Sequence, residues 1–295
     1  MTLEELISKL FKENSTLTKK LAKYLDKPAV FLQSAPADTQ KHGWGETGQY
    51  PRIVYTVEMR TDAERKTAGT IRVDLLCDIT GTLPEELEQV VRDCLKDLVV
   101  QPDQCSPYCF VWTSKQSFEL ESSNSDKRIV GTEMLFSILE YPNQITTCPD
   151  PVYTMNLFLK RYLPDVFVLG LDEINGQTRK ATEDEPILYV RMVDTVTDHL
   201  TFGLAWMKCS LSIHIIAPES EARVKWSRMA LNAIAMSGEA IMPDSSVMLF
   251  ESAKANNAFD YLNTGQVTLE ASYTMPRIQN ITNAMDPALG SIQTH

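Results

Sequence analysis

Apolar side chains recur with two different periods along the chain, and each change of period marks an element. Leu3, Leu6, Ile7, Leu10, Phe11, Leu17, Leu21 and Leu25 follow a spacing near 3.6 residues. That spacing predicts an amphipathic helix over 3–25, broken at Asn14-Ser15 and stopped at Lys27-Pro28. A short strand at 30–32 follows, then a loop over 34–50 punctuated by Pro36, Gly43, Gly45 and Gly48. Residues 52–59 are strand formers, 61–66 are polar and turn the chain, and 70–79 alternate as a half-buried strand does. A helix over 84–98 comes next. Thr82 is its expected cap, and Glu85, Glu86 and Glu88 suit its positive end. Leu87, Val90, Val91, Cys94, Leu95 and Leu98 form its apolar stripe. Strands over 109–113 and 132–141 close this set, with polar 121–127 between them.

The same order then returns. A helix is expected over 152–162, a strand over 166–171, a polar loop over 175–185 and a strand over 186–192. A turn over 194–200, a strand over 204–216, a helix after Pro218 and strands over 247–250 and 267–273 complete it. Pro51 and Pro186 are 135 residues apart, Pro84 and Pro218 134, and Pro142 and Pro276 134. Residue identity between the halves is low, so the repeat is one of pattern. The expected fold class is α+β, as two tandem units over 1–146 and 147–278. Each is a mostly antiparallel sheet of about four to five strands packed with two helices. Residues 279–295 have no apolar period and read as a flexible tail.

Length and charge agree with that picture. The 295 residues suit two domains of ordinary size. The net charge of −11 divides evenly, −6 over 1–150 and −5 over 151–295. The basic dipeptides Lys19-Lys20, Arg65-Lys66 and Lys127-Arg128 stand apart. A nucleic-acid binder shows a basic face, so extended or sequence-specific nucleic-acid contact is not expected, although a local basic lining inside a ring stays open. Apolar runs fall well short of the roughly 20 residues that span a bilayer. The start, Met1-Thr2-Leu3-Glu4-Glu5, lacks the basic and apolar blocks of a secretion signal. Six cysteines, five of them within residues 1–150, fit a reducing compartment.

Candidate chemistry is sparse. His42 lies in a Gly-rich loop without the Gly-Lys-Ser/Thr ending of a phosphate loop. His214 alternates within a strand, and His199 is expected at a hairpin turn beside Asp198. Cys105 and Cys109 lack the second pair that zinc requires. The acidic run Glu183-Asp184-Glu185 offers too few oxygens for a hard cation. No Gly-x-Ser-x-Gly elbow occurs, so neither a catalytic set nor a cofactor is expected.

Four features carry a resemblance. They are the N-terminal amphipathic helix, the segment Tyr50-Pro51-Arg52-Ile53-Val54-Tyr55 leading into a strand, the hairpin returning through Ile71 to the helix after Pro84, and the closing strand from Met134 to Tyr141. In this order the chain resembles the tail-terminator and tail-completion (head-tail joining) proteins of tailed bacteriophages and phage-tail-like particles. The likeness spans about 2–141 and, more weakly, 152–277. The resemblance implies a virion structural protein, assembled in the host cytoplasm, forming a homo-oligomeric ring at the neck end of the tail. Its implied partners are itself, the tail tube protein, the sheath protein and the neck or connector proteins, with no membrane. The family is mostly a single unit forming a hexamer, so two units leave hexamer and trimer both open. Projecting hairpins serve such rings, which singles out Arg60, Asp62, Arg65, Lys66, Asp194, Asp198 and His199 as interface or lumen candidates. A non-enzymatic ligand-binding or adaptor module with a duplicated α+β domain is the alternative reading, and an enzyme with an unrecognised site is a third.

Overall fold

The computed structural model describes residues 1–36, 48–60, 68–103, 105–120, 128–142, 147–257 and 265–277. It is a mixed helix–sheet protein with five α-helices and fifteen strands among those residues.

Helix α1 (Leu3–Glu13) starts at a capping box, in which Thr2 accepts from the Glu5 N–H and Glu5 accepts from the Thr2 N–H. Asn14 ends α1 and caps α2 (Ser15–Lys20), its Oδ1 accepting from the N–H groups of Thr16 and Leu17. The expected run to residue 25 stops at Lys20. Leu25 and Asp26 take positive φ and turn a two-strand ribbon, β1 (Lys23–Tyr24) and β2 (Lys27–Pro28). Then come β3 (Val30–Leu32), β4 (Arg52–Met59) and β5 (Gly69–Asp78). Helix α3 (Glu85–Leu95) begins later than expected. Thr82 does not cap it; instead the Leu83 N–H donates to the Glu86 carboxylate at 3.4 Å. The helix also ends early, because Asp97 takes a φ of 57° and Leu98 opens a strand. That strand is β6 (Leu98–Val100), followed by β7 (Tyr108–Leu120) and β8 (Ile129–Glu140), both longer than their apolar runs suggest.

The second half runs α4 (Pro151–Tyr162), β9 (Phe167–Val168), a 3-10 turn (Asn175–Gln177), β10 (Thr178–Lys180), β11 (Ile187–Leu200), β12 (Leu204–Ile216), α5 (Ser220–Ser237), β13 (Glu239–Ile241), β14 (Val247–Ala255) and β15 (Val267–Pro276). The stretch expected to be a polar loop over 175–185 therefore contains a strand. The turn expected over 194–200 is strand too, and the chain reverses only at 201–203.

Two large sheets result. One has seven strands in the order β10-β6-β7-β8-β5-β4-β3, the other six in the order β13-β14-β15-β12-β11-β9. Leaving out β10, the orders match strand for strand in chain sequence. Both sheets are antiparallel except at one pair each, β3 with β4 and β9 with β11. Each exceeds the expected four to five strands because β6, β10 and β13 are only three residues long. Three residues are too few to show alternation.

Three apolar clusters hold the molecule. The first packs α1, α2 and α3 on the first sheet, around Phe11, Leu87, Phe110 and Phe136. The second packs α4 and α5 on the other sheet, around Leu159, Trp226, Leu211 and Leu269. The third lies between the halves. Val99, Cys109, Leu139 and Tyr141 meet Phe167, Leu169, Ile187, Tyr189 and Ile216 there. Alongside it, β10 pairs antiparallel with β6 through Thr178–Val100, Arg179–Val99 and Lys180–Leu98, so a strand from the second half completes the first sheet.

Candidate functional site

The β11–β12 hairpin extends beyond the helix-covered part of the second sheet. Near its base, alternate β11 residues such as Leu188 and Val190 are buried under the helices. From residue 193 to 200 every side chain is exposed. Strand β12 is buttressed along this arm by β15, whose pairing reaches Leu204–Pro276. Arg277 ties down the tip, its N–H donating to Gly203 O at 3.0 Å and its Nη1 to Thr201 O at 2.6 Å. At that tip Phe202 is 84% exposed, with Leu200 and Leu204 exposed beside it and Val193 and Val196 exposed lower on the arm. An isolated two-stranded ribbon is marginal in water, so the third strand and the arginine clamp are what keep the arm standing.

A charged and aromatic cluster sits on the flank. The His199 ring stacks on Trp206, with centroids 5.3 Å apart and planes 13° from parallel. Asp198 lies 3.3 Å from His199 Nδ1 and 3.3 Å from Lys208 Nζ. The hydrogen bonds from His199 and Lys208 hold its carboxyl below the usual range. Lower on the arm, Ser210 donates to Glu270 at 2.8 Å. The arm is thus apolar at its tip and charged on its flank.

The candidates chosen from sequence fare unequally. Asp198 and His199 are brought together, on paired strand and not at a turn, and Asp194 is lower on the same arm opposite Ser210. Arg60 follows β4 in the other sheet, where its N–H donates to Ala68 O at 2.7 Å. Asp62, Arg65 and Lys66 lie outside the described residues. The exposed apolar residues of the arm were missed, although a signal existed. Thr195, Val196 and Thr197 are β-branched and favour strand over turn.

His214 is 2% exposed and packs beside the Tyr141 and Tyr189 rings, at 6.1 and 5.8 Å. It is buried in the junction between the halves. Cys109 is buried and Cys105 exposed, and burial pushes the Cys109 thiol well up. In the acidic loop, Glu185 pairs with Arg179 at 2.6 Å, and Glu183 O accepts from the Trp226 indole at 2.7 Å. His42 lies outside the described residues. Among the described residues, no group of three or more His, Cys, Asp or Glu side chains could hold a metal ion. No described helix is long and apolar enough to cross a membrane.

No protein-family model matches the chain, and no curated protein matches it in sequence.

Proposed function

We propose that the chain is two copies of one α+β unit in tandem, over 1–146 and 147–278, and that it is a structural ring subunit at the head-proximal end of a phage tail. In this reading it is no enzyme. It stops tube growth, and sheath growth where a sheath exists, and it joins tail to neck while contacting its own copies, the tube protein and the connector. The shared strand order of the two sheets supports the tandem reading. The functional reading is carried by the β11–β12 arm. A buttressed projection with Phe202 at its exposed tip suits docking onto a repeating surface, and solitary monomers seldom display such a feature. The resemblance in element order supplies the surface in question.

The test is tube growth in vitro. Purified tube protein is polymerised with and without the chain, and lengths and ends are read by electron microscopy. The expected result is tubes shortened in proportion to added chain, with density on one end. Phe202→Ser with Leu200→Ser should abolish capping without lowering thermal stability. Tubes that lengthen unchanged, with bare ends, would sink the proposal.

A further inference from the structure

The first sheet has an edge that the chain itself fills, and among the described residues the second sheet presents the same edge unfilled. In the first sheet, Val99 and Cys109 point away from the helices and are fully buried, with Val111 packed beside them. The second half covers them with β10 along β6 and with the Phe167, Ile187 and Tyr189 side chains. In the second sheet, β13 and β14 occupy the places of β6 and β7. Ala240 and Met248 point into the core, as Leu98 and Phe110 do. The neighbouring positions, which correspond to Val99, Cys109 and Val111, are Ile241, Val247 and Leu249. These are 62%, 38% and 45% exposed. Strand β13 ends its sheet among the described residues, so its outer backbone edge is open. A cleft of about 420 Å³ lined by Leu157, Tyr162 and Ile241 borders it.

We infer that this edge, with Ile241, Val247 and Leu249, is the docking surface for the first half of a second copy of the chain. The occupant follows from the interface inside the chain. The face that covers β6 and β7 is the β9–β11 side of the second half, and its counterpart is the β3–β4 side of the first half. Counted from Pro51 and Pro186, Arg52 and Val54 of β4 stand where Ile187 and Tyr189 stand in β11. Arg52 brings a cation to an edge that carries Glu239, so charge replaces part of the apolar contact. Repeating one head-to-tail contact makes a heterologous interface, which closes into a ring or runs on as a filament. The inference rests on the tandem-unit reading and is independent of any role in a tail.

Sedimentation and mass photometry of the full chain test it. Wild type should form species at whole multiples of 33.2 kDa. Ile241→Glu with Leu249→Glu should weaken association by about a hundredfold, as losing central apolar contacts does. Its circular dichroism and melting should be unchanged, since both positions are exposed. Phe202→Ser, and a chain ending at Arg277, should associate as wild type does. Hydrogen exchange supplies a readout without substitutions, because β13 amides should gain protection on association. A wild-type monomer at every concentration reached would overturn the inference. So would association that survives the double substitution, or an oligomer whose β13 amides exchange as freely as the monomer's. Association lost on removing residues 278–295 would likewise overturn it, naming that segment as the occupant. A chain that associates through β13 yet ignores tail tubes keeps this inference and ends the tail proposal. A monomer that caps tubes does the reverse.

Discussion

Gln266 shows how one side chain can substitute for a strand. Its Oε1 accepts from Ile215 N–H and its Nε2 donates to Ile215 O, both at 2.8 Å. It thereby continues the β12–β15 ladder beyond its last pair, Ile213 with Val267. Gln266→Leu keeps the bulk and leaves two buried backbone groups unmatched, so chemical denaturation should show a loss of about 2–4 kcal/mol. The neighbouring Gly265 has a φ of 71°, and a Cβ there would come within 2.3 Å of Ser212 Oγ. The turn thus requires glycine twice over, for its backbone angle and for its space. The thiols make a second test. Burial pushes Cys77 and Cys209 up to about 12, and Cys109 also well up, while Cys105 and Cys148 are exposed. Alkylation of the native chain at mildly alkaline pH should mark Cys105 and Cys148 and spare the buried three, as read by peptide mass. Unfolded thiols ionise near about 8.5. From there up to about 12 the unfolded chain sheds protons that the folded chain retains, so stability is complete below that window and falls as pH rises through it.

At the scale of elements, length decided what the sequence revealed. Strands β4 and β5 and helix α4 were legible almost to the residue, because eight or more positions repeat a period. The cap at Asn14 was visible only as a break, since its meaning depends on the Thr16 and Leu17 amides that it meets. Strand β10 was illegible. Thr178, Arg179 and Lys180 carry no apolar pattern, and their pairing partner lies some eighty residues away in β6. The turn expected over 194–200 rests on Asp194 and Asp198, which look like loop residues, whereas Asp194 pairs with Ser210 and Asp198 is a bulge between the paired Thr197 and His199. Asp198 and His199, singled out as part of a projecting turn, therefore lie on strand instead. Two of the seven chosen residues ended up in contact because both lie on one short stretch of strand. An element-scale prediction follows from β10. Arg179→Pro removes a donor from the three-residue ladder and should loosen that edge. Hydrogen exchange should then rise at β6 and β10 while the β5–β8 amides stay protected.

For the whole molecule, the third apolar cluster decides whether the halves behave as one. The Tyr189 ring packs against Tyr141 at 4.8 Å with the planes tilted by 59°, and its hydroxyl donates to Pro142 O at 2.9 Å, so it bridges the two halves. Tyr189→Ala should cost about 3–5 kcal/mol, in the range for large aromatic truncations. Calorimetry should then resolve two unfolding transitions where wild type should show one, because each half keeps its own core. A single transition in the variant would show that the halves are coupled by other contacts.

Strand β10 also orders events on the ribosome. Synthesis runs from the N-terminus, and early domains fold while later ones are still being made. The first sheet, however, takes its edge strand from residues 178–180. Until that segment has emerged, β6 is a bare edge and Val99 and Cys109 face water. A nascent chain halted between the halves is therefore a sticky one, with an unpaired strand and an uncovered apolar face. Truncated transcripts, slow codons or a nick in the linking segment should all send this protein to chaperones or into aggregates, and supplying the second half as a separate chain should rescue it.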